Sequence, residues 1–233
     1  MSALDHLFRY RETAPDGAWF QTVKGINPVL ISAPHACMHA RDGVSKMQEE
    51  YTGAIALYLA ELCNCHAIYT CYQTDEDPNW QSDSIYKEAI KSLVSDSDIQ
   101  FCIDLHGMRN LHHMGVALGT INGTACDPQL VLPHFLKAGF RHIVLDELTS
   151  NKENTWRNLV VDHPKFTGGL VNNTVTRFTS GQLGIPSVQI ELSSQARVVK
   201  SAATEDWPFE YCGNPEAINA SVTALQSLVM AKA

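Results

Sequence analysis

Val29-Leu30-Ile31-Ser32-Ala33-Pro34-His35-Ala36 and Phe101-Cys102-Ile103-Asp104-Leu105-His106-Gly107 are built alike: an apolar run of strand length, then a histidine, then a small residue. Short runs rich in Val, Ile, Leu, Phe and Cys between polar segments read as buried strands. Here they cover Val29 to Ala33 and Phe101 to Leu105, and the same reading extends to Ala67 to Cys71, His142 to Leu145 and Ser187 to Leu192. Helical patterns lie between them. From Glu50 to Cys63, residues Tyr51, Ile55, Tyr58 and Leu62 form one apolar stripe. Near the end Asn214 caps, Pro215 takes the first helical position, and Ile218, Val222, Leu225 and Val229 repeat the stripe. A weaker helix is predicted over Ser82 to Val94. Strands alternating with helices predict an α/β layer fold with a largely parallel sheet. No repeat or linker interrupts residues 1–233, so one domain is expected, with the polar stretches Thr149 to Asn154 and Asp162 to Gly169 as loops walling a site.

Composition narrows the function. The chain has 17 Lys and Arg against 25 Asp and Glu, a formal net charge of −8, and its basic residues are scattered. A nucleic-acid partner would need them clustered, so none is expected. A small anionic substrate remains compatible, because a few local arginines outweigh a distant net charge at contact range. No apolar run approaches membrane-spanning length and the first residues lack a signal pattern, so a cytoplasmic protein without a membrane partner is expected. Seven cysteines, an odd count with no CxxC pair, read as reduced thiols.

Open α/β sheets place ligands at strand ends, where His35 and His106 both fall. One such histidine is ordinary; two in matched contexts point to a shared metal ion. Asp104, two residues before His106, faces the same way on a strand and can support it as a carboxylate–histidine pair. The third element is Gln189-Ile190-Glu191-Leu192, which puts a carboxylate at the end of an otherwise apolar strand. Burying it is costly unless it is paired or poised for chemistry. Zinc hydrolysis supplies a role: the ion lowers the pKa of a bound water to about 7, and a nearby Glu takes its proton.

In order and spacing, Ser32-Ala33-Pro34-His35, Asp104-Leu105-His106-Gly107, Gly168-Gly169 and Gln189-Ile190-Glu191-Leu192 together resemble the N-formylglutamate amidohydrolase family. That family is similar to the zinc carboxypeptidases and aspartoacylases. The resemblance implies a three-layer αβα fold with a mixed sheet and one Zn²⁺ per chain. It also implies His35 and His106 as metal ligands, Glu191 as general base, and Arg177 as the arginine after the double glycine that binds the substrate carboxylate. Asp77-Pro78-Asn79-Trp80 is similar to a substrate-binding stretch of the related deacylases, which makes Asn79 a substrate-binding candidate beside the reading of a plain Pro-Asn turn. Arg41, Lys87 and Arg109 are further cations suited to an anionic group. Where relatives carry a third ligand three residues after the first histidine, this chain has Met38. Glu50, at the expected start of its helix, is the predicted replacement, with His39 beside the site as a substrate-binding or supporting group. Two departures bear on the substrate: Ala36-Cys37 follows Pro34-His35, and the arginine that closely follows the catalytic Glu in relatives is displaced to Arg197.

The expected activity is zinc-dependent hydrolysis of an N-acyl or N-formyl amide bond in a small acidic amino-acid derivative. The alternatives are a zinc carboxypeptidase acting on peptide C-termini, a cysteine hydrolase using Cys37, and an inactive binding protein that retains the fold.

Overall fold

The two histidine-ended runs become adjacent parallel strands at the centre of an eight-stranded sheet. A computed structural model describes residues 1–148, 154–202 and 209–232. Its main sheet comprises β1 (Phe20–Val23), β2 (Asn27–Ala33), β3 (Cys65–Thr70), β4 (Phe101–Met108), β5 (Val116–Gly119), β6 (Arg141–His142), β7 (Asn158–Val161) and β8 (Ser187–Ser193). The strand order is β6-β7-β5-β8-β4-β2-β3-β1. Strands β8, β4, β2 and β3 run parallel to one another, β5 meets β8 antiparallel, and β1 closes the far edge antiparallel to β3. The sheet is therefore mixed and mostly parallel.

Side chains alternate along β2 and β4, and this builds two cores. Val29, Ile31, Phe101, Ile103 and Leu105 point to one face, where they pack with α1 (Thr52–Cys63) and α5 (Pro215–Met230). Leu30 and Cys102 point to the other, against Tyr86, Ile90 and Leu93 of α2 (Ile85–Asp96) and Val175 and Phe178 of α4 (Val175–Gly181). A short helix, α3 (Leu132–Lys137), joins the first face through Phe135. Helices on both faces of one sheet make the three-layer αβα architecture. No described helix is long and apolar enough to cross a membrane.

Three expectations change. The helix expected from Glu50 starts at Thr52, because Tyr51 takes a left-handed conformation (φ 68°) and leaves Glu49 and Glu50 in the preceding loop. The strand expected over His142 to Leu145 is confined to Arg141–His142, and the chain then turns through a 3₁₀ segment at Leu145–Glu147. Of the loop expected at Thr149 to Asn154, residues 149–153 lie outside the described residues.

Candidate functional site

Parallel pairing sets the floor of the site. Glu191 on β8 is in register with His106 on β4, and Ser32 on β2 is in register with Asp104, so the C-terminal ends of three strands bring His35, His106 and Glu191 to one place. All three line a cleft of about 1230 Å³ and all are buried.

Between the two histidines stands Glu49. Its Oε1 lies 3.2 Å from His35 Nδ1 and its Oε2 3.1 Å from His106 Nδ1, while the Gly107 amide donates to Oε2 at 2.9 Å. The loop holding it is pinned by the Glu49 amide donating to the His35 carbonyl and by Thr52 Oγ1 donating to the Glu49 carbonyl. Glu50 points elsewhere: its Oε1 accepts from Ser201 Oγ at 3.0 Å and from Gln48 Nε2. The acidic residue among the histidines is thus Glu49, one position before the expected Glu50. The left-handed turn at Tyr51 removes Glu50 from the helix start on which that expectation stood.

The far side of each imidazole meets a buried aspartate. His35 Nε2 lies 2.9 Å from Asp77 Oδ1, and Asp77 Oδ2 accepts from Arg41 Nε at 2.7 Å and approaches His39 Nε2 at 3.6 Å. His39 stacks flat on His35, with centroids 3.9 Å apart. His106 Nε2 lies 3.1 Å from Asp104 Oδ1, while Asp104 Oδ2 accepts from the amide and hydroxyl of Thr176. That first approach is close enough for an ion pair but poorly aligned, and it competes with Asn79 Nδ2, 2.7 Å from the same nitrogen. With a cation on Nδ1 the remaining ring proton belongs on Nε2, because Asp104 Oδ1 is buried with no other donor and an orphaned carboxylate oxygen costs more than a strained amide contact; without the cation both ring nitrogens carry protons.

The charges follow from these contacts. Burial opposes protonation of His35, but Glu49 and Asp77 outweigh it and push the ring up to about 9. His106 is likewise raised against its burial by Asp104 and Glu49. Despite its own burial, Glu49 is held well below the usual carboxylate range by the two rings. His39 moves the other way, down to about 3, through burial and the neighbouring His35. Burial lifts Glu191 to about 7, opposed by His106 and assisted by Glu49, and Gln189 Nε2 donates to its Oε1 at 2.7 Å.

One donor atom each from His35, Glu49 and His106 lie within 4.8 Å of one another, and so do donors of His35, His39 and Asp77. The first set fits a divalent ion. Both Nδ1 atoms and a carboxylate converge, both Nε2 atoms are held from behind, and the two Nδ1 protons that balance the buried acids are what a dication would replace. The second set does not fit, because Arg41 occupies Asp77 Oδ2.

The remaining candidates separate. His39 and Asn79 line the cleft, although the Asn79 carbonyl oxygen is taken by the Val175 amide at 2.8 Å. Arg177 does not line it: the side chain is exposed and donates from Nη1 to the carbonyls of Gly169 and Leu170. Lys87 is a buried tie, donating to the carbonyls of Gln81 and Asn173, and burial pushes it down to about 8. Arg109 lies on the cleft wall. Cys37 is fully buried, its thiol is raised by that burial, and it is outside the cleft lining, which removes the cysteine-hydrolase alternative. The sequence assigns no role to Glu49, Asp77 or Arg197. Two of them carry a signal in it: Asp77 opens the Asp77-Pro78-Asn79-Trp80 stretch, and Arg197 is the displaced arginine after Glu191.

Solved structures share this architecture. An N-formylglutamate amidohydrolase from Ralstonia eutropha JMP134 matches with a TM-score of 0.54 and 14% identity, over 92% of this chain and 96% of that one. The chain has the N-formylglutamate amidohydrolase fold. A gene product of Agrobacterium tumefaciens matches at TM-score 0.52 and 11% identity over 96% of this chain and 98% of that one. A metallo-carboxypeptidase from Burkholderia cenocepacia matches more distantly, at TM-score 0.45 and 10% identity over 91% of this chain and 60% of that one. No protein-family model matches the chain, and no curated protein matches its sequence. Likeness at such identity establishes a common fold and leaves activity to the residues.

Proposed function

We propose that the chain is a zinc-dependent hydrolase that cleaves an N-acyl or N-formyl amide bond of an acidic amino-acid derivative. The observation that carries this reading is the convergence of His35 Nδ1, His106 Nδ1 and both Glu49 oxygens beside a buried Glu191 whose pKa is lifted to about 7. Held by His35, Glu49 and His106, a zinc ion would act as a Lewis acid that acidifies water and polarises the substrate carbonyl.

The chain's own groups divide the remaining work. Asp77 and Asp104 fix the ring orientations of His35 and His106 from behind. Glu191 takes a proton from the attacking water and returns it to the departing nitrogen, a dual role suited to a carboxyl whose pKa lies near neutrality. Gln189, donating to Oε1, keeps that carboxyl turned to the cleft. Asp77, buried under His35, His39 and Arg41, ties the Asn79 turn to the same floor.

The test is metal analysis together with hydrolysis. Purified protein should hold one zinc per chain, lose activity on chelation and recover it on zinc addition, with N-formyl- and N-acetylglutamate as first substrates. Full activity after complete metal removal would defeat the reading. Cleft size favours a second reading, peptide cleavage in the manner of a carboxypeptidase, since about 1230 Å³ exceeds the ~300–1,000 Å³ of ordinary small-molecule pockets.

A further inference from the structure

The chain is acidic overall, yet its cleft is not. Six basic side chains line it (Arg11, Arg41, Lys46, Arg109, Lys165 and Arg197) against three acidic ones, Glu49, Glu50 and Glu191. Arg197 is the deepest of them. It is 6% exposed and lies across Gly107, where a Cβ would stand 2.3 Å from its Nε. Nη1 donates to the Glu50 carbonyl at 2.8 Å, but Nε is buried without an acceptor and no carboxylate pairs with the guanidinium among the described residues. Burial works against its charge, and the nearby Glu49, Glu50 and Glu191 offset this only at a distance. A buried guanidinium left with unused N–H groups calls for an anion from outside the chain.

A second cationic group stands on the cleft wall. Arg109 and Lys165 both line the cleft, both are exposed, and neither has a carboxylate partner among the described residues. They share one neighbourhood: both act on His112, whose ring is lowered first by burial and then by Lys165, His163, His113 and Arg109. His112 and His163 rings are 6.0 Å apart, and Phe166 packs against both. Arg109 and Lys165, the two fixed positive charges of this group, make an anion-attracting lip on a chain of net charge −8.

We propose that the cleft takes an acidic oligomer, holding one carboxylate on Arg197 at the floor and further carboxylates on the lip formed by Arg109 and Lys165. This builds on the hydrolase reading and replaces the single amino-acid derivative with a chain of several acidic units. The size of the cleft supplies the room, and cations at both its floor and its wall offer more positive charge than one carboxylate can use.

Binding is measured so that the outcome does not depend on turnover. Tetraglutamate and N-acetylglutamate are titrated calorimetrically into the zinc-loaded Glu191→Gln protein, alone and combined with Arg109→Ala/Lys165→Ala or with Arg197→Met. Tetraglutamate should bind on the order of tenfold more tightly, and this advantage should disappear in the lip variant and shrink steeply with added salt. Arg197→Met should weaken both ligands, while Arg197→Lys, keeping charge without the fork, should recover only part of the loss. Thermal unfolding of each variant separates lost binding from lost folding. Equal affinity for the two ligands, or a lip variant that binds tetraglutamate as well as its parent, overturns the proposal. If tetraglutamate binds as expected but the wild-type enzyme cleaves neither it nor the small substrates, the hydrolase reading fails and the binding site stands.

Discussion

His35 and His106 reach the same carboxylate by different routes. Each turns Nδ1 to Glu49 and Nε2 to a buried aspartate. For His106 the aspartate is Asp104, two residues back on the same strand, placed by the pleat. For His35 it is Asp77, 42 residues away, delivered by a turn after β3 and shared with Arg41 and His39. One half of the site is thus local and stiffened by a central strand, and the other is assembled from three separate segments. Besides its histidine, Asp104 accepts from Thr176 alone among the described residues, whereas Asp77 adds His39 and Arg41 to His35. The His35 half should therefore be the more sensitive to substitution.

The largest effect should come from removing the group that joins the halves. Glu49→Ala should abolish stoichiometric zinc binding, as should His35→Ala and His106→Ala, whereas Glu50→Ala should leave it near wild type. Metal content after gel filtration decides this. Zinc retained by Glu49→Ala and lost by Glu50→Ala would restore the helix-start residue as the ligand.

Next comes Glu191, which serves both halves and belongs to neither. Glu191→Gln should keep fold and metal while losing on the order of 10²–10⁴ in rate. The wild-type pH profile adds a sign. The base works ionised, so kcat/KM should rise with pH through an acid limb at or below the value near 7 that burial gives this carboxyl, a bound cation moving it lower. In Glu191→Gln that limb should vanish from the residual rate, and an unchanged limb would place the base elsewhere.

The comparison itself is tested by Asp77→Asn against Asp104→Asn. Loss of a carboxylate behind a ligating histidine typically weakens metal binding about 10–100-fold. Asp77→Asn should fall toward the upper end, since it also leaves the buried His39 and the half-buried Arg41 without their acid, and Asp104→Asn toward the lower end. Competition with a calibrated chelator measures both. Equal losses would mean that only the contact to the histidine matters.

The same contrast explains what could be read from sequence. The strands β2, β4 and β8 were visible because each is a short apolar run, and the Asp104–His106 pair because a strand alternates faces. Period and strand order sufficed for the layers. The choice between Glu49 and Glu50 was not visible, because it depends on one left-handed residue, Tyr51, for which a tyrosine gives no warning. Asp77 was hidden by its distance along the chain from His35, although its own turn, Asp77-Pro78-Asn79, was seen. Strands β5 and β7, four residues each, are too short to show a pattern. Helix α4, only seven residues long, was missed for the same reason, and with it the direction of Arg177.

Arg177 supplies the smallest expected effect and the sharpest contrast with Arg197. Both were arginines near motif positions, yet one is exposed on α4 and spends Nη1 on the carbonyls of Gly169 and Leu170, while the other lies buried on the cleft floor. Gly169 lines the cleft at φ 124°, a conformation other residues resist, so Arg177 steadies a loop whose shape is already set by its glycines. A lysine there can still reach one carbonyl. Arg177→Lys should then change kcat/KM by less than about twofold and stability by no more than about 0.5 kcal/mol, the range of ordinary surface substitutions. The loss should be the same for acidic and neutral substrates, because the side chain never meets the substrate. A selective loss on acidic substrates, measured as the ratio of kcat/KM for N-acetylglutamate and N-acetylglutamine, would return the carboxylate-binding role to Arg177. It would also require the loop at Gly168-Gly169 to swing that guanidinium into the cleft when substrate binds.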